Sequence, residues 1–364
     1  MAMLQLVIAF LLAIELAAGS RLLKSTSNPS ICETIVQGYG YPCLQDTVTT
    51  EDGFVLGMQR IPHGINSNMD NSERDPVLLL HGLLQGAATF VMNTPSQSLA
   101  FILADQGYDV WLGNTRGSDA SLGHISLSNQ DKEFWNWSFE EHGKYDLLAM
   151  LQLIYNTTGS RSHFIGYSQG TTIGLVGLTQ PKVTSLLSSV VLLNPVAFLK
   201  NITPPFTIAL AHSYLEKLND FLRLMMAGNN AYINRTRFPY YLQFLPQSTS
   251  TKNLALYTQM IRTGGFDWYD YGSPADNMKY YNQTTPPAID FSTYPPNLPL
   301  LLVTGGEDGL ADVPDVQRLL DSLVNCNVTH VFRSECGHAD FVWGTNAHTD
   351  VYIDVANFLK SIPK

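Results

Sequence analysis

Apolar positions along this chain gather into short unbroken runs, separated by stretches with the period of a helix. Residues 77–82 (VLLLHG), 108–113 (YDVWLG), 163–167 (HFIGY), 188–195 (SSVVLLNP), 299–306 (PLLLVTGG) and 328–333 (VTHVFR) read as strands. A short apolar run bounded by turn formers is the pattern of a strand buried on both faces. Between them, residues 98–107, a long stretch from about 134 to 155, and residues 170–178 and 312–323 read as helices, as does a closing segment near 347–360. Strands alternating with helices at this spacing predict an α/β chain built on a mostly parallel sheet with helices on both faces.

Residues 199–292 interrupt that alternation with helical, Pro- and Tyr-rich sequence. Within them, residues 210–226 put Leu210, Tyr214, Leu218, Phe221 and Met225 on one helical face. The segment holds eight Lys/Arg against six Asp/Glu, whereas the chain as a whole carries a formal charge of −10. A difference in both architecture and charge predicts a helical cap (199–292) inserted into a core formed by residues 20–198 and 293–364.

Composition narrows the class. A content of 45% hydrophobic and 14% charged residues over 364 positions is that of a globular chain. The acidic balance argues against a nucleic-acid partner, which needs a basic face. Residues 4–18 are almost wholly apolar and end in Ala17, Ala18 and Gly19, which predicts a signal peptide over 1–19, although Glu15 interrupts the run and no Lys or Arg precedes it. No other segment has the length and apolarity of a membrane span. The expected route is therefore secretory, to the outside or to a vacuole- or lysosome-like compartment. Sequons at Asn136, Asn156, Asn201, Asn234, Asn282 and Asn327 agree with that route. So do four cysteines in two local pairs, Cys32 with Cys43 and Cys326 with Cys336, each expected to form a disulfide.

The chemistry centres on Gly166-Tyr167-Ser168-Gln169-Gly170, a G-x-S-x-G run that follows a predicted strand and opens a predicted helix. Such a turn exposes the serine hydroxyl above a sheet, and its glycines let strand and helix cross closely. A nucleophilic serine needs a base and a group that orients the base. Asp308, with Glu307 and Asp312 as neighbours, follows the strand 299–306, and His338 follows the strand 328–333. Both then stand at carboxyl ends of parallel strands, where such sites assemble. The backbone N–H groups of Gln169 and of Leu83, in the loop after the first parallel strand, are candidate donors to an oxyanion. His81 precedes that loop and is read as structural, since the base is already supplied. The nine histidines show no metal-ligand spacing, and neither metal nor cofactor is expected.

The runs "VTTEDGFVLGMQRIP" (48–62), "LLLHGLL" (78–84), "LAFILADQGYDVWLGNTRG" (99–117), "GYSQGTT" (166–172) and "GGEDGLADVPDV" (305–316) resemble the acid lipase family. That family comprises gastric and lysosomal acid lipases and secreted plant triacylglycerol lipases. The likeness continues into "YTQMIRTGGFDWYDYGSPADNMKYY" (257–281). It implies an α/β-hydrolase fold, hydrolysis of neutral lipid esters, a Ser168–His338–Asp308 triad and an oxyanion hole from Leu83 and Gln169. The amphipathic cap adds the expectation that the esters are met at a lipid–water interface. Two other readings stay open on the sequence. One is a small-ester carboxylesterase or acyltransferase with the same triad. The other is a non-catalytic lipid-binding protein on a hydrolase fold.

Overall fold

A computed structural model describes residues 30–66, 73–202 and 228–363. The expected signal peptide and the amphipathic stretch 210–226 lie outside the described residues. The centre of the fold is a nine-stranded sheet: β1 (Leu44–Thr49), β2 (Phe54–Ile61), β3 (Pro76–Leu80), β4 (Asp109–Gly113), β5 (Gly123–His124), β6 (Ser162–Tyr167), β7 (Leu187–Leu193), β8 (Pro299–Gly305) and β9 (Asn327–Arg333). The order is β1-β2-β4-β3-β6-β7-β8-β9, with β5 paired to β2. From β4 through β9 every neighbouring pair is parallel, whereas β1, β2 and β5 join antiparallel. The fold is the expected mostly parallel α/β sheet.

Its central strands are mostly apolar because both faces are covered. Leu78, Leu80, Phe164, Val190, Leu192, Leu300 and Leu302 enter one core. Their neighbours Val77, Leu79, Ile165, Val191, Leu193, Leu301 and Val303 enter the other. This is the two-residue period of a strand expressed on two buried sides. Helices Leu147–Thr158, Gln169–Gly177 and Val313–Ser322 cover the first side, and Leu99–Asp105 and Tyr352–Ser361 the second.

Two expectations change, and one element is added. The helix expected from about residue 134 starts later: a 3₁₀ turn spans Lys132–Trp135, and Ser138 caps Phe139–Glu141 in a reciprocal capping box with Glu141. A π turn, His142–Asp146, then leads into Leu147–Thr158. Within that turn Gly143 lies so close to helix Gln169–Gly177 that an added Cβ would fall 2.5 Å from a Val176 methyl carbon. The hairpin of β1 and β2, not read from the pattern, turns through Gly53 at φ +95°. Finally, Cys32 and Cys43 are bonded, but Cys326 and Cys336 are free. The extended strand β9 runs between that second pair. Seven residues of strand span roughly 23 Å, far beyond the ~7 Å Cα separation a disulfide allows. Cys326 packs against one core and Cys336 sits in the other.

The described part of residues 199–292 contacts the loops that leave the sheet. Gly228 forms a bridge with Asp308, and Asn229 N–H donates to the Glu307 carbonyl at 3.1 Å. Gln247 N–H donates to the Leu84 carbonyl at 2.8 Å. Helix Thr251–Thr263 is anchored where Asn253 accepts from Phe139 N–H at 2.8 Å and donates to Gln169 Oε1 at 2.7 Å. No helix among the described residues is long and apolar enough to cross a membrane.

Candidate active site

Ser168 directly follows β6 in a conformation L-residues rarely adopt, φ 54° and ψ −119°. The surroundings over-determine that strain. Its N–H donates to the Leu193 carbonyl at 3.1 Å, and its own carbonyl accepts from the Thr171 N–H and hydroxyl at 2.8 and 2.5 Å. The flanking glycines are required sterically. A Cβ on Gly166 would fall 2.5 Å from the Gly170 carbonyl oxygen, and one on Gly170 would fall 2.2 Å from that of Leu80 in β3. Helix Gln169–Gly177 can therefore start directly above the sheet.

His338 lies beyond the end of β9 and is fully buried. Its Nε2 stands 2.9 Å from Ser168 Oγ and its Nδ1 2.8 Å from Asp308 Oδ2. The second Asp308 oxygen accepts the N–H groups of Leu310 and Ala311 at 2.8 and 3.0 Å. Three side chains from the ends of β6, β8 and β9 thus form one hydrogen-bonded row. With the Nδ1 proton donated to the carboxylate, Nε2 is free to accept from the serine hydroxyl. Of the neighbouring acids, Glu307 is exposed and Asp312 heads helix Val313–Ser322.

The sequence pattern missed the residues that hold the imidazole in place. The His338 carbonyl accepts from Asn194 Nδ2 at 2.8 Å and from the Tyr167 hydroxyl at 3.2 Å. The next N–H, of Ala339, donates to Asn230 Oδ1 at 2.7 Å, and Gly337 N–H donates to Asp340 Oδ2 at 3.0 Å. The one signal available was the asparagine near the end of the run 188–195. Asn194 takes φ 53°, a conformation that asparagine tolerates better than most residues.

On the other side of Ser168 lies the loop after β3. Gly82 is so close that a Cβ there would fall 3.0 Å from Ser168 Cβ and 3.3 Å from Oγ. Its N–H donates to Gln85 Oε1 at 3.2 Å, and Gln85 also accepts the Thr89 hydroxyl at 2.9 Å. Gln169 N–H stands at the first position of its helix, where no intrahelical acceptor exists. Among the described residues, neither the Leu83 N–H nor the Gln169 N–H has a protein acceptor. His81, 1% exposed, makes two backbone contacts, and burial pushes its pKa down to about 4, so the ring is neutral at ordinary pH.

Of the sequon asparagines, Asn136, Asn156, Asn201, Asn282 and Asn327 are exposed and Asn234 is half-buried. Asn201 Nδ2 donates to the buried Asp315 carboxylate at 2.9 Å.

Comparison with known proteins identifies the fold and the family. Residues 32–94 match the model of a partial alpha/beta-hydrolase lipase region, and residues 75–345 that of the alpha/beta hydrolase fold. The chain is 34% identical to triacylglycerol lipase 1 of Arabidopsis thaliana, over 94% of this chain and 93% of that one. It is also 34% identical to the human lysosomal acid lipase/cholesteryl ester hydrolase, over 92% and 91%. A soluble variant of the Saccharomyces cerevisiae monoglyceride lipase shares the fold at a TM-score of 0.58 and 16% identity, over 93% of this chain and 100% of that one.

Proposed function

The chain belongs to the acid lipase family of α/β-hydrolases and is an ester-hydrolysing enzyme, and on that premise we propose that it is a secreted triacylglycerol lipase acting through Ser168, His338 and Asp308. The observation that supports this most is the row of contacts at 2.9 and 2.8 Å linking the three side chains. His338 Nε2 removes the Ser168 proton as Oγ attacks the ester carbonyl, and Asp308 stabilises the resulting imidazolium. The carbonyl oxygen becomes an oxyanion and takes hydrogen bonds from Leu83 and Gln169 N–H. His338 returns its proton to the departing alcohol, leaving an acyl-serine. Water, deprotonated by the same nitrogen, releases the fatty acid and restores the hydroxyl.

Residues 199–292 serve as the cap in this reading. Its support is that their described part rests on the loops that carry Leu84 and Glu307 and on Gln169 at the start of its helix, all next to the three side chains. Long acyl chains then bind between cap and core. The apolar leader and the Cys32–Cys43 link support a secretory route. Steryl esters are a further candidate substrate class, since one relative bears the name cholesteryl ester hydrolase.

The test is a hydrolysis profile over emulsified long-chain triacylglycerol, a steryl ester, a phospholipid and a dissolved short-chain ester. The reading expects the triacylglycerol rate to lead and to rise as droplets form. Turnover confined to the dissolved ester would replace the lipase reading with a small-ester carboxylesterase.

A further inference from the structure

A peptide unit is a rigid plane with its C=O and N–H pointing in opposite directions. Whatever holds the Gly82 carbonyl therefore also aims the Leu83 N–H. In this chain the Gly82 carbonyl is held by the side chain that precedes it, His81, whose Nδ1 stands 2.9 Å away. We propose that His81 is a positioning residue that aims the Leu83 N–H at the ester oxygen, and that the Thr115 N–H sets the tautomer His81 needs for this. The inference rests on the serine-hydrolase reading above.

Three observations carry it. First, the Thr115 N–H donates to His81 Nε2 at 3.2 Å. A ring nitrogen that accepts an N–H carries no proton, so in the neutral ring the proton is on Nδ1, where it can be donated to Gly82. The opposite tautomer would set two N–H groups against each other at Nε2 and two acceptors at Nδ1.

Second, Thr115 is itself immobilised. Its carbonyl accepts the Ser118 hydroxyl at 2.7 Å. The next residue, Arg116, is buried and gives its backbone N–H and its Nε to the two oxygens of the buried Asp146, at 3.0 and 2.8 Å. Its remaining nitrogens reach Asp52 at 2.5 and 2.8 Å. The guanidinium, spent on these two carboxylates, thus serves as the foundation of the turn that fixes a ring.

Third, the plane held in this way is the one beside the nucleophile, because Gly82 lies against Ser168. Gln85 grips Gly82 as well, through its N–H to the Gly82 carbonyl at 3.3 Å and its Oε1 on the Gly82 N–H. Only the His81 contact depends on which nitrogen carries a proton.

The test compares His81→Asn with His81→Gln on a dissolved short-chain ester. Asparagine can present an amide N–H near the position of Nδ1. Glutamine reaches the position of Nε2 and leaves the Gly82 carbonyl without that donor. Losing one oxyanion donor lowers kcat by about 10²–10³-fold. His81→Gln should lower kcat by about 100-fold with KM within about twofold, and should weaken a phenylboronic acid, which forms a tetrahedral adduct on serine, by a similar factor. His81→Asn should recover at least about tenfold of each. Equal losses in the two variants, a loss confined to KM, or unchanged boronate affinity would overturn the proposal. Should His81→Gln fail to fold, ¹⁵N NMR of the wild-type protein decides. The proposal requires the Nδ1–H tautomer at His81, and the Nε2–H tautomer excludes it. Wild-type hydrolysis that survives Ser168→Ala would instead sink the serine-hydrolase reading, an outcome the His81 variants cannot mimic.

Discussion

Asp308 meets His338 with one carboxylate oxygen, Oδ2, at 2.8 Å from Nδ1, and surrenders the other to the N–H groups of Leu310 and Ala311. The carboxylate is held from behind and cannot rotate without losing two backbone hydrogen bonds. An amide in its place would keep its oxygen on those N–H groups and turn its NH₂ toward the imidazole. Nδ1 would then have to accept, and the ring proton would move to Nε2, where it blocks proton transfer from Ser168.

Asp308→Asn should therefore lower kcat by on the order of 10³-fold or more. Asp312→Asn, four residues further on at the head of a helix, should stay within about tenfold of wild type, because both imidazole nitrogens of His338 are already engaged by Asp308 and Ser168. Steady-state kinetics on one dissolved ester decides between them. A larger loss from Asp312→Asn would contradict the assignment of Asp308 as the orienting acid.

Thiol chemistry separates the two cysteine pairs. Alkylation in denaturant without reductant should label Cys326 and Cys336 and leave Cys32 and Cys43 joined in one disulfide-linked peptide. In the folded protein both labelled positions should react slowly, Cys336 the more so. Burial pushes the Cys336 thiol up to about 12 and also raises that of Cys326, which is less buried. Peptide mapping by mass spectrometry reads both results. A Cys326–Cys336 linked peptide would contradict the extended path of β9.

Glu140 makes stability depend on pH. Its carboxyl is buried beside Glu141 and accepts the Tyr269 N–H at 2.5 Å, and burial raises its pKa from 4.5 to about 7. Between those two values the folded chain keeps a proton that the unfolded chain releases. This contribution to stability is therefore complete below about pH 4.5 and is lost as pH rises toward 7. Glu140→Gln keeps an acceptor for Tyr269 without the charge. It should raise Tm at pH 8 by about 3 °C, and change it little at pH 5. Thermal melts at the two pH values measure this, and equal destabilisation at both would show that the anion is not the issue.

The parts of the fold legible in the sequence were those whose burial is uniform. Strands β3, β6, β7 and β8 are covered on both faces, so each carries a recognisable apolar run, and Ser168 and Asp308 follow two of them. His338 follows β9, an edge strand whose alternating burial leaves a weaker pattern. The β1–β2 hairpin escaped because β1 is exposed along most of its length and carries little periodic signal. The helix start was misread because apolar Phe134 and Trp137 pack into the core from turns, with helical structure beginning only after Ser138. The Cys326–Cys336 pairing failed for a related reason: ten residues look local, but those ten include a strand. Asn194, Tyr167 and Asn230 act on His338 across long sequence separations, which no local pattern records.

The central claim is that Ser168 is the nucleophile, and the direct measurement is ester hydrolysis and fluorophosphonate labelling of wild type and Ser168→Ala side by side. The account predicts that wild type hydrolyses the ester and is labelled once, at Ser168. Ser168→Ala should fold with an unchanged Tm, take no label, and lose at least about 10³-fold in rate, because serine, histidine and aspartate act as a unit. Rate within tenfold of wild type in the folded Ser168→Ala protein, or label found on another residue, would contradict it.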